Sequence, residues 1–101
     1  MSFKVIKTPV FITTAKIVTP TEAEPVVQHV QVKFQWVEDG DKLSVDKLLD
    51  CAVLELFDLV DEAGNALAFA DIRSTLLVMP EMRLGLFEAY YTAYAEARAK
   101  N

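Results

Sequence analysis

The sequence predicts an α+β fold in which an N-terminal antiparallel β-hairpin packs against about three helices, the last one long and C-terminal. Residues 30–36, VQVKFQW, alternate apolar with polar side chains, the period of a strand with one buried face. Residues 81–100 contain no helix breaker except Gly85 and are rich in Ala, Leu, Glu and Arg, a composition that favours helix. A lone hairpin is only marginally stable in water, so we expect the helices to cover it.

The first strand of the hairpin is predicted at residues 10–18, where most side chains are β-branched or aromatic. Residues 19–25, TPTEAEP, form the turn that follows. Because this connection is short, an antiparallel pairing with the strand at residues 30–36 costs the least loop entropy.

The first helix is predicted to begin at Val45, with Ser44 as its N-cap, after the break at residues 38–41. The sequence does not define where this helix ends. Residues 53–60 either continue the helix or finish as a short strand, because their leucines fit no single period.

Two more helices complete the predicted order β-β-α-α-α. After a turn at residues 61–65, Asp71 is expected to cap a short helix that ends before Pro80. The long helix then runs from Glu81 to Lys100. Nothing resembles a linker, so we expect residues 1–101 to form a single α+β domain.

Charge and composition restrict the partners. A formal net charge of −5, with no run of basic residues, repels phosphate backbones, so nucleic acid is not an expected partner. No segment approaches the roughly 20 apolar residues that span a bilayer, so no membrane partner is expected. The single cysteine, Cys51, has apolar neighbours and predicts a packed thiol in a reducing compartment, the cytoplasm.

Residues that could carry catalysis or hold a cofactor are scarce. One His and one Cys do not supply a zinc site, and His29 is expected near the surface of a strand. The carboxylates at residues 38–41 and 58–62 lie in predicted turns and lack the ligand spacing of an EF-hand, so we interpret them as solvated charges. We therefore predict no enzymatic activity and no cofactor.

Aromatic side chains on the last helix are the candidate protein-binding residues: Phe87, Tyr90, Tyr91 and Tyr94. Their spacing places them on two adjacent helix faces. One face must serve the core, and the other is available to a partner protein. The alternative is that all four rings pack internally, with the tyrosine hydroxyls at the rim.

The second half of the chain carries a family resemblance. Residues 57–69, FDLVDEAGNALAF, are similar to an aromatic residue followed by the pattern v-D-e-x-G-x-x-l-x-F. Leucines at 76 and 77, Pro80, an Ala-Tyr pair at 89–90 and the ending EARAKN at 96–101 follow in order. Over roughly residues 53–101 this order resembles bacteriophage tail assembly chaperones. Phe57 stands where the family usually has Trp, and Ala70 where it has Ser or Thr.

The resemblance implies a chaperone that binds the phage tape measure protein in the cytoplasm of a bacterial host and keeps this long helical client soluble. It also implies recruitment of the tail tube protein, without the chaperone remaining in the virion. The alternatives are a structural tail component, such as a terminator or connector, and a generic small protein-binding module. Exposed strand edges also allow a homo-oligomer.

Overall fold

The computed structural model describes residues 2, 3, 5 and 9–99, and the predicted hairpin is present in it. Its ten-residue strands β1 (Val10–Thr19) and β2 (Val26–Gln35) pair antiparallel in unbroken register, from Val10 opposite Gln35 to Thr19 opposite Val26. Val32 and Phe34 are fully buried, as the alternation predicts, because they lie on the face that the helices cover. The α+β prediction is confirmed.

The alternative left open after the first helix is settled in favour of a strand. Helix α1 (Val45–Ala52) ends where β3 (Val53–Leu56) begins, and β3 pairs antiparallel with β2 in a sheet of order β1-β2-β3. Arg73 supports the junction, since its guanidinium donates to the carbonyls of Asp50 (2.6 Å) and Val53 (2.7 Å). Carbonyls that the helix leaves unpaired at its end are thereby satisfied.

Helix α1 begins at Val45, as predicted. The Ser44 side chain accepts a hydrogen bond from the Lys47 N–H at 3.4 Å, the N-cap contact that the sequence indicates. One turn of 3₁₀ helix, Gly40–Lys42, precedes it and connects β2 to α1.

The segment between β3 and the next helix is a tight loop fixed by Asp61. The Asp61 carboxylate accepts hydrogen bonds from the N–H groups of Ala63 and Asn65, both at 2.9 Å. The bond from the Asn65 N–H contributes most to holding the pKa of Asp61 below its ordinary value. Gly64 takes a φ of +87°, which a residue with a side chain rarely adopts. The loop is closed by a bridge between Val60 and Ala66.

The predicted cap of the next helix is wrong. Helix α2 (Phe69–Leu77) begins before Asp71, and its N-cap is Ala68, which makes no side-chain capping bond. The buried Phe69 ring anchors the first residue of the helix in the core instead. Asp71 lies in the first turn, where its carboxylate still complements the helix dipole.

The long helix α3 spans Pro80–Ala99, one residue earlier at its start than predicted. The predicted helix end at Lys100 and the final Asn101 lie outside the described residues. Along α3, the side chains of Met82, Leu86 and Tyr90 join the buried cluster that also contains Val32 and Phe34.

Gly85 allows α3 to lie directly against β1. A Cβ atom at Gly85 would stand 2.5 Å from Ile17 Cδ1 and 2.6 Å from the Lys16 carbonyl oxygen. Only a glycine therefore fits this contact without movement of the strand or the helix. Among the helices of the described part, none has the length and apolar character to span a membrane.

Candidate functional site

A groove of about 350 Å³ opens beside the second half of α3, and we refer to it as the tyrosine groove. It lies between the helix and the turn that follows β2. Its lining residues are Val37, Asp39, Gly40, Tyr90, Tyr91 and Tyr94.

Tyr90 forms the floor of the tyrosine groove. Only 4% of the residue is exposed, and its hydroxyl oxygen accepts a hydrogen bond from the Val37 N–H at 3.0 Å. Burial raises the pKa of Tyr90 above its ordinary value of 10.0, against the opposing effect of the Val37 bond. Tyr90 therefore links α3 to the turn at Val37 beneath the groove, and its ring is not exposed at the surface.

Trp36 connects the groove to the sheet. Its ring stacks on Phe11 with centroids 4.2 Å apart and meets the edges of Tyr90 and Tyr94, each at 5.2 Å. The two edge contacts lie within the usual range of centroid distances for favourable aromatic pairs, and the stack on Phe11 is closer. The groove is thus built on a continuous aromatic cluster that extends from β1 through β2 to α3.

The four aromatic residues predicted from sequence have different environments. Tyr90 is in the core, and Phe87 and Tyr91 are half-buried with ring centroids 4.8 Å apart. Tyr94 is 42% exposed at the rim. Phe87 does not line the groove, so the structure brings three of the four residues together there.

Local sequence patterns do not identify three residues of this neighbourhood: Trp36, Val37 and Gly40. The alternating pattern indicates Trp36 only as the end of a strand. Its contact with α3 depends on the packing of two segments that are far apart in the sequence. Gly40 is buried, and a Cβ there would lie 2.9 Å from Leu48 Cδ1, so it allows the turn to pack closely on α1.

The turn opposite the tyrosines carries two acidic residues, of which Asp39 lines the groove. Glu38 and Asp39 are exposed, and Asp39 has a left-handed φ of 56° in the turn. Its carboxylate approaches Lys42 Nζ at 3.8 Å, an exposed pair that contributes little to stability. The groove therefore combines tyrosine rings with one acidic lining residue, Asp39.

A second groove, of about 420 Å³, lies where α1, α2 and the start of α3 meet. Its charged side chains already contact one another, because Arg73 pairs with Asp50 at 3.5 Å and Arg83 pairs with Asp46. The Arg83 Nε–H is buried without an acceptor among the described residues, but one such atom does not define a ligand. The tyrosine groove is the better candidate for a protein partner.

The prediction of a packed Cys51 thiol is wrong. Cys51 is exposed, because α1 turns its apolar face, formed by Leu48, Leu49 and Ala52, toward the core and leaves Cys51 outside it. His29 is exposed on β2, as expected. Within the described part of the chain, no three His, Cys, Asp or Glu side chains are grouped so that they could hold a metal ion.

Comparison of the chain with models of protein families, with curated proteins and with solved structures gives no match. Assignment of a function therefore depends on the residues and the geometry described above.

Proposed function

We propose that this protein is a non-enzymatic tail assembly chaperone of a phage or prophage, which binds the tape measure protein in the bacterial cytoplasm. The tyrosine groove is the proposed client site, and its open, partly exposed aromatic wall is the observation that carries the proposal. The tail tube protein is the second proposed partner. The family resemblance of residues 53–101 supplies the identity of both partners.

The chemistry of the groove supports reversible binding to a helical client. Tyrosine rings offer large apolar surfaces with few rotatable bonds, and their hydroxyls remain compatible with water when the client leaves. Tyr94 at the rim and Tyr91 behind it can cover an apolar stripe of a client helix. Tyr90 contacts the Trp36 ring and the Val37 N–H, and these contacts hold the tyrosine side of the groove in place. The site is therefore already formed before the client binds.

The charge around the groove favours a client with basic residues beside its apolar stripe. Asp39 lines the groove, and the whole chain has a formal net charge of −5. Such a field steers basic segments toward the site and disfavours acidic ones.

The residues of the 57–69 pattern that carries the resemblance form one local unit before α2, whereas Tyr90 belongs both to the resemblance and to the groove. Asp61 and Gly64 shape the loop before α2, and Phe69 anchors that helix in the core. Their roles are structural, so the resemblance supports a shared fold and the groove supplies the separate case for binding.

The proposal is tested by co-expression of the chain with the tape measure protein of the same phage, followed by affinity recovery. We expect a stable complex and a larger soluble fraction of the client. Failure to recover a complex, with client solubility unchanged, contradicts the chaperone function.

Replacement of Tyr94 by Ala tests the groove itself. We expect Tyr94→Ala to weaken client binding about tenfold or more while lowering the free energy of unfolding by only about 1–2 kcal/mol, since this ring is 42% exposed and contacts Trp36. Leu84→Ala is the matched control, because Leu84 is 61% exposed on the same helix but does not line the groove. Equal losses of binding in both variants would place the client contact outside the groove.

A structural tail component is the second candidate function. The projecting end of the hairpin favours it, since all residues from 20 to 29 are exposed and strand edges are available for assembly. Mass spectrometry of purified particles separates the candidates, because a structural component remains in the virion and an assembly chaperone does not.

A further inference from the structure

One edge of β2 is open near the tip of the hairpin. β2 pairs with β3 only at Val32, Lys33 and Phe34, and one further hydrogen bond joins the Phe57 N–H to the Gln31 carbonyl at 3.0 Å. From Val26 to Val30, no described residue pairs with β2 on that side. The open edge is therefore five residues long.

The backbone groups that this edge presents follow from the Gln31 contact. The carbonyl of Gln31 faces β3, and the hydrogen-bonding direction alternates along a strand, so Val27 and His29 face the same side. Each presents one N–H donor and one carbonyl acceptor. Val26, Gln28 and Val30 instead face β1.

The contact between β1 and α3 independently supports this assignment. Lys16 of β1 lies opposite His29 of β2. If the backbone N–H and carbonyl of His29 point away from β1, those of Lys16 must point away from β2. The Lys16 carbonyl oxygen lies close to Gly85 of α3, a position open to a carbonyl that points away from β2. The same contact covers the β1 edge at Lys16.

The open edge has little of the protection that exposed strands usually carry. The segment VVQHV contains no proline and no acidic or lysine side chain, and Val26 and Val27 are 44% and 48% exposed. By contrast, β3 is only four residues long and carries Glu55. Residues 26–30 of β2 are thus an available site for strand addition.

We infer that this edge pairs with the same edge of a second copy of the chain, antiparallel across a two-fold axis. Placing Gln28 opposite its own counterpart sets Val27 opposite the partner's His29 and Val26 opposite the partner's Val30. All four residues that face the new partner, Val27 and His29 of each copy, then exchange backbone hydrogen bonds. The pairing ends where β3 begins, so the length of the open edge fits this register.

The side chains in this register are compatible. Val26 packs beside the partner's Val30 on the face that bears the helices, and Val27 packs beside the partner's His29 on the other face. The two Gln28 side chains meet at the axis, where their amides can hydrogen-bond. The formal charge of the pairing segment is zero with His neutral, so the net charge of −5 per chain opposes association only at longer range.

The interface is small, since five residues per chain bury less than the roughly 1,600 Å² of a standard complex. The dimer is therefore weak and depends on concentration. This inference does not depend on the proposed chaperone function, because it concerns the full chain alone and the β2 edge, none of whose residues 26–30 lines the tyrosine groove.

Sedimentation velocity of the full chain, from about 1 µM to about 1 mM, measures the dimer directly. We expect a monomer–dimer equilibrium. Gln28→Glu and Gln28→Lys each place like charges at the axis and should weaken the dimer about fivefold, whereas an equimolar mixture of the two variants should recover it. Val10→Glu, which adds the same charge to β1 away from the edge, should leave it unchanged.

His29→Pro removes an edge N–H that β1 does not use, so it should abolish the dimer with the hairpin intact by circular dichroism. A chain that stays monomeric at every concentration overturns the inference, and so does a dimer insensitive to charge at position 28. If His29→Pro disturbs the hairpin, the recovery in the mixture of charge variants still decides the question.

Discussion

Tyr90 is the residue in which the core and the candidate site meet. Its ring packs at 5.5 Å from Phe34 in the core, and its hydroxyl accepts the Val37 N–H at the base of the turn. Loss of the hydroxyl therefore leaves a partly buried donor without its acceptor, while loss of the ring would also open a cavity.

Replacing Tyr90 by Phe should lower the free energy of unfolding by about 1 kcal/mol near pH 7, because the Val37 N–H loses its acceptor. Burial raises the pKa of Tyr90, so the fold favours the neutral phenol over the anion. The contribution of the neutral phenol to the free energy of unfolding is present in full below the ordinary pKa of 10.0. It is lost as the pH rises through the higher pKa of Tyr90 in the folded protein.

The advantage of the wild type over Tyr90→Phe should therefore shrink above about pH 10. Urea unfolding of both proteins from about pH 7 to about pH 11 measures the difference. A difference that stays constant over this range would contradict the stated environment of the phenol.

Packing of α3 on β1 decides the position of the candidate site at the scale of elements. The helix approaches closely at Gly85 and carries Tyr90 and Tyr94 to the aromatic rings at the other end of the strand. Any change that lifts the helix from the strand therefore also moves the wall of the tyrosine groove.

Gly85→Ala tests this contact. Helix propensity alone predicts a gain of about 1 kcal/mol, but the added methyl would press on the Lys16 carbonyl and on Ile17. Ile17 Cδ1 can move aside, whereas the backbone carbonyl cannot, so we expect a net loss of about 1–2 kcal/mol.

Chemical unfolding of Gly85→Ala should be compared with that of Ala95→Gly, an exposed position on the same helix. The control should lose about 1 kcal/mol from propensity alone. A stabilised Gly85→Ala protein would show that α3 does not touch β1 as described.

The whole molecule is elongated because the hairpin extends beyond its core. Its extents are 55 × 26 × 24 Å and its radius of gyration is 15.1 Å, against about 13 Å for a compact chain of 100 residues. Residues 20–29 are exposed throughout, so this part of the ribbon has little tertiary support. Its stability rests on pairing with its own neighbour strand.

Hydrogen exchange should distinguish the two parts of the ribbon. In dilute protein we expect amides within residues 18–28 to exchange about 100-fold faster than those of the buried ladder around Val32 and Phe34, because the exposed end opens locally. Mass spectrometry of exchanged peptides measures this difference. Equal protection of both parts would contradict an unsupported ribbon.

Local patterns determined much of the fold. The alternation at residues 30–36 predicted β2, Ser44 marked the start of α1, and the breaker-free segment after Pro80 predicted α3. Each signal is local, because side-chain period, capping and backbone propensity depend on neighbours in the sequence. The sequence also identified the aromatic residues of α3 as the candidate site, three of which line the groove.

Tertiary contacts decided the rest. Residues Val53–Leu56 form a strand because β2 offers an edge there, and Phe69 sets the start of α2 because the core receives its ring. Trp36 contacts the tyrosines of the groove because Gly85 brings α3 onto β1, and the open edge of β2 remains because β3 is short. These outcomes depend on residues far apart in the chain, so no local pattern encodes them.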